Sequence, residues 1–419
     1  MDRFRVVGPN RLSGRIRAAG AKNAALPALA ATLLADGPVV LRGVPQVADI
    51  RTMRRLLAHD GVVAAEHDGV LELQPSTGRA ADEAPYELVK TMRASVLVLG
   101  PLLARRGHAR VSLPGGCAIG VRPIDQHLAG LEALGAKVEL EQGYVEARAD
   151  RLIGARFAFA FPTVTGTENV MMAAALARGT SILENCAREP EIEDLARLLN
   201  AMGAEISGAG GERITIEGVE RLGGADHAIL PDRIEGGTYL IAAAATGGDV
   251  TVDNLRAADL GPLLEKLAAS GAEVETGPDW IRVARDGDLL PGDVVTAPHP
   301  GFPTDLQAQY MALMTQARGH TAIRETVFEN RFQHVAELAR MGASISVEGN
   351  LAKVNGPTVL SGAKVMATDL RASACLVIAG LVAQGETVVD RIYHLDRGYE
   401  AMEKKLRSLG GNVERIAGG

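Results

Sequence analysis

Apolar positions along the chain recur in a fixed order of helix and strand. A helix-like apolar stretch followed by glycine and a short β-branched run occurs at LGAKVEL, MGAEISG, SGAEVET and MGASISV, with weaker copies at HDGVVAA and LGGNVER. The glycines of these copies are spaced by 74, 68, 68, 71 and 68 residues and are Gly61, Gly135, Gly203, Gly271, Gly342 and Gly410. Glycine ends a helix readily because it adopts the left-handed conformation without steric cost. The pattern therefore predicts six repeated units.

A second signature alternates with the first. It consists of a helix rich in alanine or leucine, a glycine and a short strand, as in LLADGPVVLRGV, LARRGHARVSL, LARGTSILENC, ATGGDVTVDNL, QARGHTAIRET and VAQGETVVDRI. Units of this length exceed those of ordinary solenoids, and six of them group as three plus three. We expect two similar α/β domains, one of residues 22–229 and one of residues 1–21 with 230–419. A cleft between two domains is the expected place for a ligand.

Composition and charge narrow the function classes. The chain has 419 residues, of which 47% are hydrophobic and 23% charged, with a formal net charge of -7. This acidic balance argues against a general nucleic-acid or anionic-membrane surface. The N-terminus MDRFRVVGPN lacks an export pattern, and no apolar run reaches the ~18 residues that span a bilayer. We expect a cytoplasmic protein without nucleic-acid or membrane partners.

The cysteines are few and one of them lies in an unusual segment. Three cysteines without metal-type spacing predict neither a disulfide framework nor a zinc site, and we expect no metal or organic cofactor. Cys117 lies in the glycine-rich segment VSLPGGCAIGVRP with Arg122 five residues later. Nearby positive charge would stabilise a thiolate there, although a buried, inert thiol is the alternative. Cys186 and Cys375 are expected to be packing residues.

Basic residues recur at the starts of predicted apolar helices. Lys22 and Asn23 precede an alanine-leucine helix in GAKNAALP, where an anion site or simple solvation is possible. Arg93 in KTMRAS is a snorkelling cation or a ligand group, and Asp369 with Arg371 in TDLRAS forms a salt bridge or a binding pair. TMRAS and DLRAS occupy matching helix starts three units apart. This repetition favours a shared role in binding phosphate or carboxylate.

Three further segments carry candidate chemistry. In APHPGFPTDLQAQ, Thr304 and Asp305 open a helix, so that they are either N-capping residues or, for Asp305, a general base. The segment ETVFENRFQH adds Arg331, and IYHLDRGYE adds Arg397, which follows an aspartate. Sequence alone assigns no role to Arg331.

Ten ordered segments together resemble the enolpyruvyl transferase family, in its branch that acts on a UDP-sugar. They span the whole chain and are GAKNAALP, KTMRAS, LPGGCAIGVRP, NCAREPEIEDLA, IEGVERL, LPDRIEGGT, APHPGFPTDLQAQ, TVFENRF, VMATDLRASA and DRIYHLDRGYE. The resemblance implies a two-domain α/β fold, an inside-out barrel of six βαβαββ-type units with the active site between the domains. It implies transfer of enolpyruvyl from phosphoenolpyruvate to the 3-hydroxyl of UDP-N-acetylglucosamine with release of phosphate, the first committed step of bacterial peptidoglycan synthesis.

The same resemblance implies roles for individual residues. Cys117 resembles the general acid, which also forms covalent adducts, including one with fosfomycin, and Asp305 resembles the general base. Asp369 and Arg331 are implied as supporting residues. The groups implied for phosphoenolpyruvate are Lys22, Asn23, Arg122, Arg371 and Arg397. Those implied for the UDP-sugar are Arg93, Arg122, Pro123, Ile124, Asp125, Gln126, Pro162, Thr163, Val164, Thr165, Asp305 and Val327.

Two alternatives remain open at this point. One is an enzyme like 5-enolpyruvylshikimate-3-phosphate synthase, with the same fold and chemistry but a different acceptor. The cysteine segment and PTDLQAQ favour the UDP-sugar enzyme over it. The other is a non-catalytic UDP-sugar-binding sensor, against which stands the joint presence of all the candidate chemical residues.

Overall fold

The computed structural model describes residues 1–75, 83–90, 92–113 and 123–418. The chain divides into two compact units. The first unit contains the described residues from Gly20 to Leu230, and the second contains Met1–Ala19 and the described chain from Pro231 onward. Each unit has a hydrophobic core of its own.

Short strands account for most of the extended backbone. Within the described residues they are, in chain order, β1 Arg3–Gly8, β2 Ser13–Arg17, β3 Val39–Arg42, β4 Val63–His67, β5 Val70–Gln74, β6 Glu83–Ala84, β7 His108–Ser112, β8 Lys137–Glu141, β9 Tyr144–Arg148, β10 Arg156–Ala158, β11 Thr180–Glu184, β12 Glu205–Ser207, β13 Arg213–Glu217, β14 Ala225–Ala228, β15 Asp249–Asp253, β16 Glu273–Thr276, β17 Trp280–Ala284, β18 Val294–Val295, β19 Gly319–Arg324, β20 Ser344–Glu348, β21 Leu351–Gly356, β22 Lys364–Met366, β23 Gly385–Asp390 and β24 Val413–Ile416.

The helices alternate with these strands. In the same part of the chain the α-helices are α1 Lys22–Ala31, α2 Ala48–His59, α3 Tyr86–Val89, α4 Leu99–Arg106, α5 Asp125–Ala133, α6 Val164–Ala174, α7 Pro190–Ala201, α8 Arg233–Ala245, α9 Gly261–Ala269, α10 Thr304–Met314, α11 His334–Arg340, α12 Leu370–Val382 and α13 Met402–Ser408. Short 3-10 helices cover Thr32–Leu34, Arg93–Val98, Ala257–Asp259 and Ile392–Arg397.

One sheet pattern is repeated throughout the described chain. The first unit has the four-stranded sheets β14-β3-β5-β4, β6-β7-β9-β8 and β10-β11-β13-β12, and the second has β2-β15-β17-β16, β18-β19-β21-β20 and β22-β23-β1-β24. In each sheet the first pair is parallel and the next two pairs are antiparallel. The expected α/β fold of repeated small sheets is therefore confirmed.

The start of the chain completes two sheets of the second unit. Strand β1 pairs with β23 and β24, and β2 pairs in parallel with β15. In the first unit the late strand β14 likewise pairs with the early strand β3. Each unit is thus closed by strands that are distant in sequence.

Helices that are buried nearly all round form the centre of each unit. All thirteen residues of α8 are buried, as are most residues of α1, α6, α10 and α12. Alanine and glycine dominate several of these segments, since small residues allow elements to pack closely on every side. By contrast, α2 and α7 bury only one face or part of their surface. The six predicted helix-ending glycines, from Gly61 to Gly410, all have positive φ angles.

The helix start at Arg93 differs from the expectation. Residues Arg93–Val98 form a 3-10 helix, and the α-helix begins only at Leu99. Pro101 has no backbone N–H, so it cannot donate to the carbonyl of Leu97 as an α-helix would require. The tighter turn upstream is consistent with this missing donor.

Candidate active site

Three charged side chains of the second unit meet at the starts of α10 and α12. Asp305 accepts a hydrogen bond from Arg331 at 2.7 Å on Oδ1 and one from Arg371 at 2.8 Å on Oδ2. The side chains of both arginines are nearly buried, whereas that of Asp305 is 28% exposed. The structure therefore brings three residues that were predicted from sequence into one cluster, with its carboxylate accessible.

The charges of this cluster leave a net positive centre. Burial raises the pKa of the Asp305 carboxyl, but Arg371 and Arg331 outweigh burial and hold that pKa well below its ordinary value. Burial lowers the pKa of Arg371, yet Asp305 and Tyr399 reverse this and raise it overall. The helix N-termini at this point add partial positive charge. The arrangement suits an anionic ligand.

Two simple structural alternatives from the sequence concern Asp369, as a salt-bridge partner of Arg371, and Thr304, as a helix N-cap. Asp369 caps α12, because its carboxylate accepts hydrogen bonds from the backbone N–H groups of Arg371 and Ala372. The guanidinium of Arg371 forms its ion pair with Asp305, so the salt-bridge alternative for Asp369 and Arg371 is wrong. The N-cap of α10 is Pro303 without a side-chain cap, so the capping alternative for Thr304 and Asp305 is also wrong.

Arg397 ends the 3-10 helix Ile392–Arg397 of the same unit. Its neighbour Asp396 is held by Arg415 of β24 through two hydrogen bonds. Burial lowers the pKa of His394, and the charge of Arg397 lowers it further while Asp369 raises it. Together these influences disfavour the charged form of His394.

Lys22 of the first unit is paired with a residue that sequence reasoning missed. Its Nζ lies 3.1 Å from Oδ2 of Asp49, and both side chains are nearly buried. Lys22 opens α1, while Asp49 lies in the first turn of α2. Asn23 follows Lys22 and is half-buried. Nothing in the local sequence of Asp49 distinguishes it from an ordinary helix-start carboxylate.

The two segments predicted for the UDP-sugar lie near each other in the first unit. Gln126 accepts from the backbone N–H of Ala160 at 2.8 Å, next to residues Pro162 to Thr165. Arg93 donates to the carbonyl of Pro123 at 3.0 Å. Thr163 caps α6 by accepting from Gly166. Arg93 and residues 123–126 and 162–165 thus belong to one connected region.

A network of buried hydrogen bonds lies beneath this region. Asn169 donates from Nδ2 to the carbonyl of Val96 and to Nδ1 of His127 at 3.0 Å. With Nδ1 accepting, the His127 ring carries its proton on Nε2, which lies 3.2 Å from Oγ1 of Thr165. Asn169 and His127 are almost fully buried. Neither was predicted, because their meeting depends on tertiary packing.

Two predicted residues, Cys117 and Arg122, lie outside the described residues. The other two cysteines are buried and unpaired, as expected for packing residues. Burial raises the pKa of Cys186 to about 12 and that of Cys375 well above its ordinary value. Among the described residues, no group of three or more His, Cys, Asp or Glu side chains is placed to hold a metal ion, and no helix is long and apolar enough to cross a membrane.

Comparison with known proteins decides the family. Residues 6–406 match the family model of EPSP synthase (3-phosphoshikimate 1-carboxyvinyltransferase). The chain belongs to the EPSP synthase family of enolpyruvyl transferases. Curated family relatives are the UDP-N-acetylglucosamine 1-carboxyvinyltransferases of Sorangium cellulosum, 59% identical over 100% of this chain and 99% of the relative, and of Koribacter versatilis, 55% identical over 99% and 97%.

Solved structures of family members confirm the fold. The enolpyruvyl transferase NikO from Streptomyces tendae is 25% identical, with a TM-score of 0.90 over 100% of this chain and 99% of its own. EPSP synthase from Acinetobacter baumannii has a TM-score of 0.79 at 17% identity, with full coverage of both chains. The family members with UDP-N-acetylglucosamine in their names are thus far more similar in sequence than this EPSP synthase.

Proposed function

We propose that this protein transfers the enolpyruvyl group of phosphoenolpyruvate to the 3-hydroxyl of UDP-N-acetylglucosamine and releases phosphate. The observation that carries the proposal is identity of 55–59% over essentially the whole chain to two enzymes of that name. The cluster of Asp305, Arg331 and Arg371 supports it, since it offers cations for an anionic substrate and an accessible carboxylate.

The proposed reaction is an addition followed by an elimination. The sugar hydroxyl adds to C2 of phosphoenolpyruvate, its proton passes to Asp305, and Cys117 protonates C3. The tetrahedral intermediate then loses a proton from C3 and expels phosphate, which leaves the enol ether. Lys22, Asn23, Arg122, Arg371 and Arg397 are proposed to bind phosphoenolpyruvate. The residues proposed for the UDP-sugar are Arg93, Arg122, Pro123 to Gln126, Pro162 to Thr165, Asp305 and Val327.

The low pKa of Asp305 must rise before this residue can act as the base in this mechanism. A carboxylate whose pKa is held so low is a poor proton acceptor. Phosphoenolpyruvate is anionic and competes for the same guanidinium groups. We therefore include in the proposal that Arg371 or Arg331 shifts from Asp305 toward the incoming substrate, which raises the proton affinity of the carboxylate when it is needed.

The proposal also has a cellular part. The product would enter peptidoglycan synthesis, the site of action would be the cytoplasm, and fosfomycin would inactivate the protein through Cys117. The net charge of -7 supports small-molecule substrates over nucleic acid.

Phosphate release with defined acceptors tests the proposal. Purified protein is mixed with phosphoenolpyruvate and either UDP-N-acetylglucosamine or shikimate 3-phosphate, and the products are identified by mass spectrometry. We expect turnover with the UDP-sugar, none with shikimate 3-phosphate, and loss of turnover in Cys117→Ser. Turnover with shikimate 3-phosphate, or binding of the UDP-sugar without phosphate release, would contradict the proposal.

A further inference from the structure

A buried carboxylate behind Asp305 gathers four hydrogen bonds. Glu325 follows β19 and is 3% exposed. Its Oε1 accepts from the hydroxyl of Thr296 at 2.8 Å and from the backbone N–H groups of Val327 at 2.8 Å and Phe328 at 3.2 Å. Its Oε2 accepts from the hydroxyl of Thr304 at 2.8 Å. Such charge-assisted bonds are short and strong, and they stabilise a buried carboxylate.

Three of these four donors belong to the elements that carry Asp305 and Arg331. Thr304 is the first residue of α10 and directly precedes Asp305. Val327 and Phe328 begin the loop that leads to Arg331, whose guanidinium donates to Asp305. Glu325 therefore fixes both partners of the Asp305–Arg331 pair from a single point.

Thr296 restrains the Glu325 carboxylate and the backbone that follows it. Its Oγ1 donates to Glu325 and also accepts from the backbone N–H of Thr326 at 2.9 Å, while its carbonyl accepts from the Thr326 hydroxyl at 2.5 Å. Glu325 and the residue that follows it are thus both tied to the same threonine. A side chain this well bonded cannot shift without breaking several hydrogen bonds together.

We propose that Glu325 is a positioning residue for the reaction, which holds Asp305 and the Val327 backbone in place for the UDP-sugar. The inference rests on the proposed function, in which Asp305 and Val327 contact that substrate. Displacement of a catalytic group by about 1 Å is enough to slow a reaction by orders of magnitude. Glu325 acts only through these neighbours.

Substitution of Thr304 tests its hydrogen bond to Glu325 without removing the Glu325 carboxylate. Thr304→Val keeps the shape of the side chain but removes the hydroxyl donated to Glu325, and Thr304→Ser restores a hydroxyl. We expect Thr304→Val to lower kcat about tenfold, as the loss of one charge-assisted hydrogen bond suggests, with a smaller change in KM for phosphoenolpyruvate. Thr304→Ser should recover most of the activity.

Shortening the side chain of Glu325 tests its hydrogen bonds to the backbone of Val327 and Phe328. Glu325→Asp retains the charge but cannot reach both Thr304 and the loop, so we expect lower kcat and a higher KM for UDP-N-acetylglucosamine. Glu329→Gln is the matched control, because Glu329 is exposed in the same loop and should leave kinetics unchanged. Melting temperatures of all variants separate loss of positioning from loss of folding.

The outcomes distinguish this inference from the proposed function. If the wild-type protein does not turn over the UDP-sugar, the proposed function fails first. If the wild type is active and folded Thr304→Val and Glu325→Asp variants match it in kcat and in both KM values, the positioning role of Glu325 is overturned. A uniform loss of active protein, with unchanged KM and no rescue by Thr304→Ser, would also overturn it.

Discussion

Replacing Asn169 by leucine should destabilise the first unit and weaken UDP-sugar binding. Asn169 is fully buried, and its Oδ1 accepts from the backbone N–H of Gly100 at 2.6 Å. Its Nδ2 donates to Val96 and His127. Leucine has the same branched shape but no polar atom, so all three hydrogen bonds are lost, and its methyl groups are bulkier than the amide oxygen and nitrogen that they replace.

The size of the effect follows from the groups left behind. A buried amide that loses its partner, as that of Gly100 would, destabilises a protein by about 1–3 kcal/mol, and each of the other two bonds contributes about 1 kcal/mol. The close approach of α4 to α6 prevents relief by inward movement, since a Cβ on Gly100 would lie only 2.3 Å from Asn169 Oδ1. We expect the free energy of unfolding to fall by about 3–5 kcal/mol.

A kinetic consequence accompanies the loss of stability. Without the Asn169 donor, the His127 ring is no longer held with its proton toward Thr165, so the KM for UDP-N-acetylglucosamine should rise while that for phosphoenolpyruvate changes little. Urea unfolding and steady-state kinetics measure the two effects. Asn200→Leu is the control, because Asn200 is exposed and water can replace its two bonds to Ile206. Unfolding free energies within about 1 kcal/mol of each other for the two variants would refute the reasoning.

Three further predictions concern other parts of the molecule. Arg415→Gln should raise the KM for phosphoenolpyruvate several-fold and leave that for the UDP-sugar unchanged, because Arg415 anchors the turn that ends at Arg397; an unchanged KM in steady-state assays would contradict this. Asp369→Ala should lower the free energy of unfolding by about 1 kcal/mol through loss of the α12 cap, measured by urea unfolding, with Asp369→Asn as the control that retains a capping oxygen. Cys186 and Cys375 should resist alkylation in the native protein at mildly alkaline pH, because burial raises the pKa of both thiols; peptide mapping that finds either one labelled as fast as a free thiol would be the contrary result.

Periodic features of the fold were predictable from the sequence, because they are set by neighbouring residues. The glycine that ends each repeated helix fixes the local backbone, and all six copies from Gly61 to Gly410 adopt the positive φ that the pattern predicts. The position of β1 is a different case. Its pairing with β23 depends on residues more than 370 positions away, such as Phe4 with Val389. Local patterns carry no register for such a pair.

In the candidate site, too, the sequence indicates individual residues, whereas their contacts depend on the fold. Asp305, Arg331 and Arg371 were each singled out from sequence, but their meeting joins residues 26 and 66 positions apart. Glu325 was one charged residue among several in ETVFENRF, and its burial is what distinguishes it. Its role is visible only when the donors around it are counted.

Two identical tripeptides show why local sequence cannot assign these roles. Thr-Asp-Leu lies at the start of both α10 and α12, yet Asp369 is the N-cap that precedes α12 whereas Asp305 lies inside the first turn of α10. The difference is tertiary. The hydroxyl of Thr304 is taken by Glu325, while the buried hydroxyl of Thr368 has no hydrogen-bond partner among the described residues. In α12 the Asp369 carboxylate thus accepts hydrogen bonds from the backbone of its own helix. In α10 the helix starts two residues earlier in the tripeptide, and the Asp305 carboxylate remains available to the arginines. The same three residues thus provide a cap in one repeat and a candidate catalytic group in another, and the buried Glu325 beside α10 accepts the Thr304 hydroxyl.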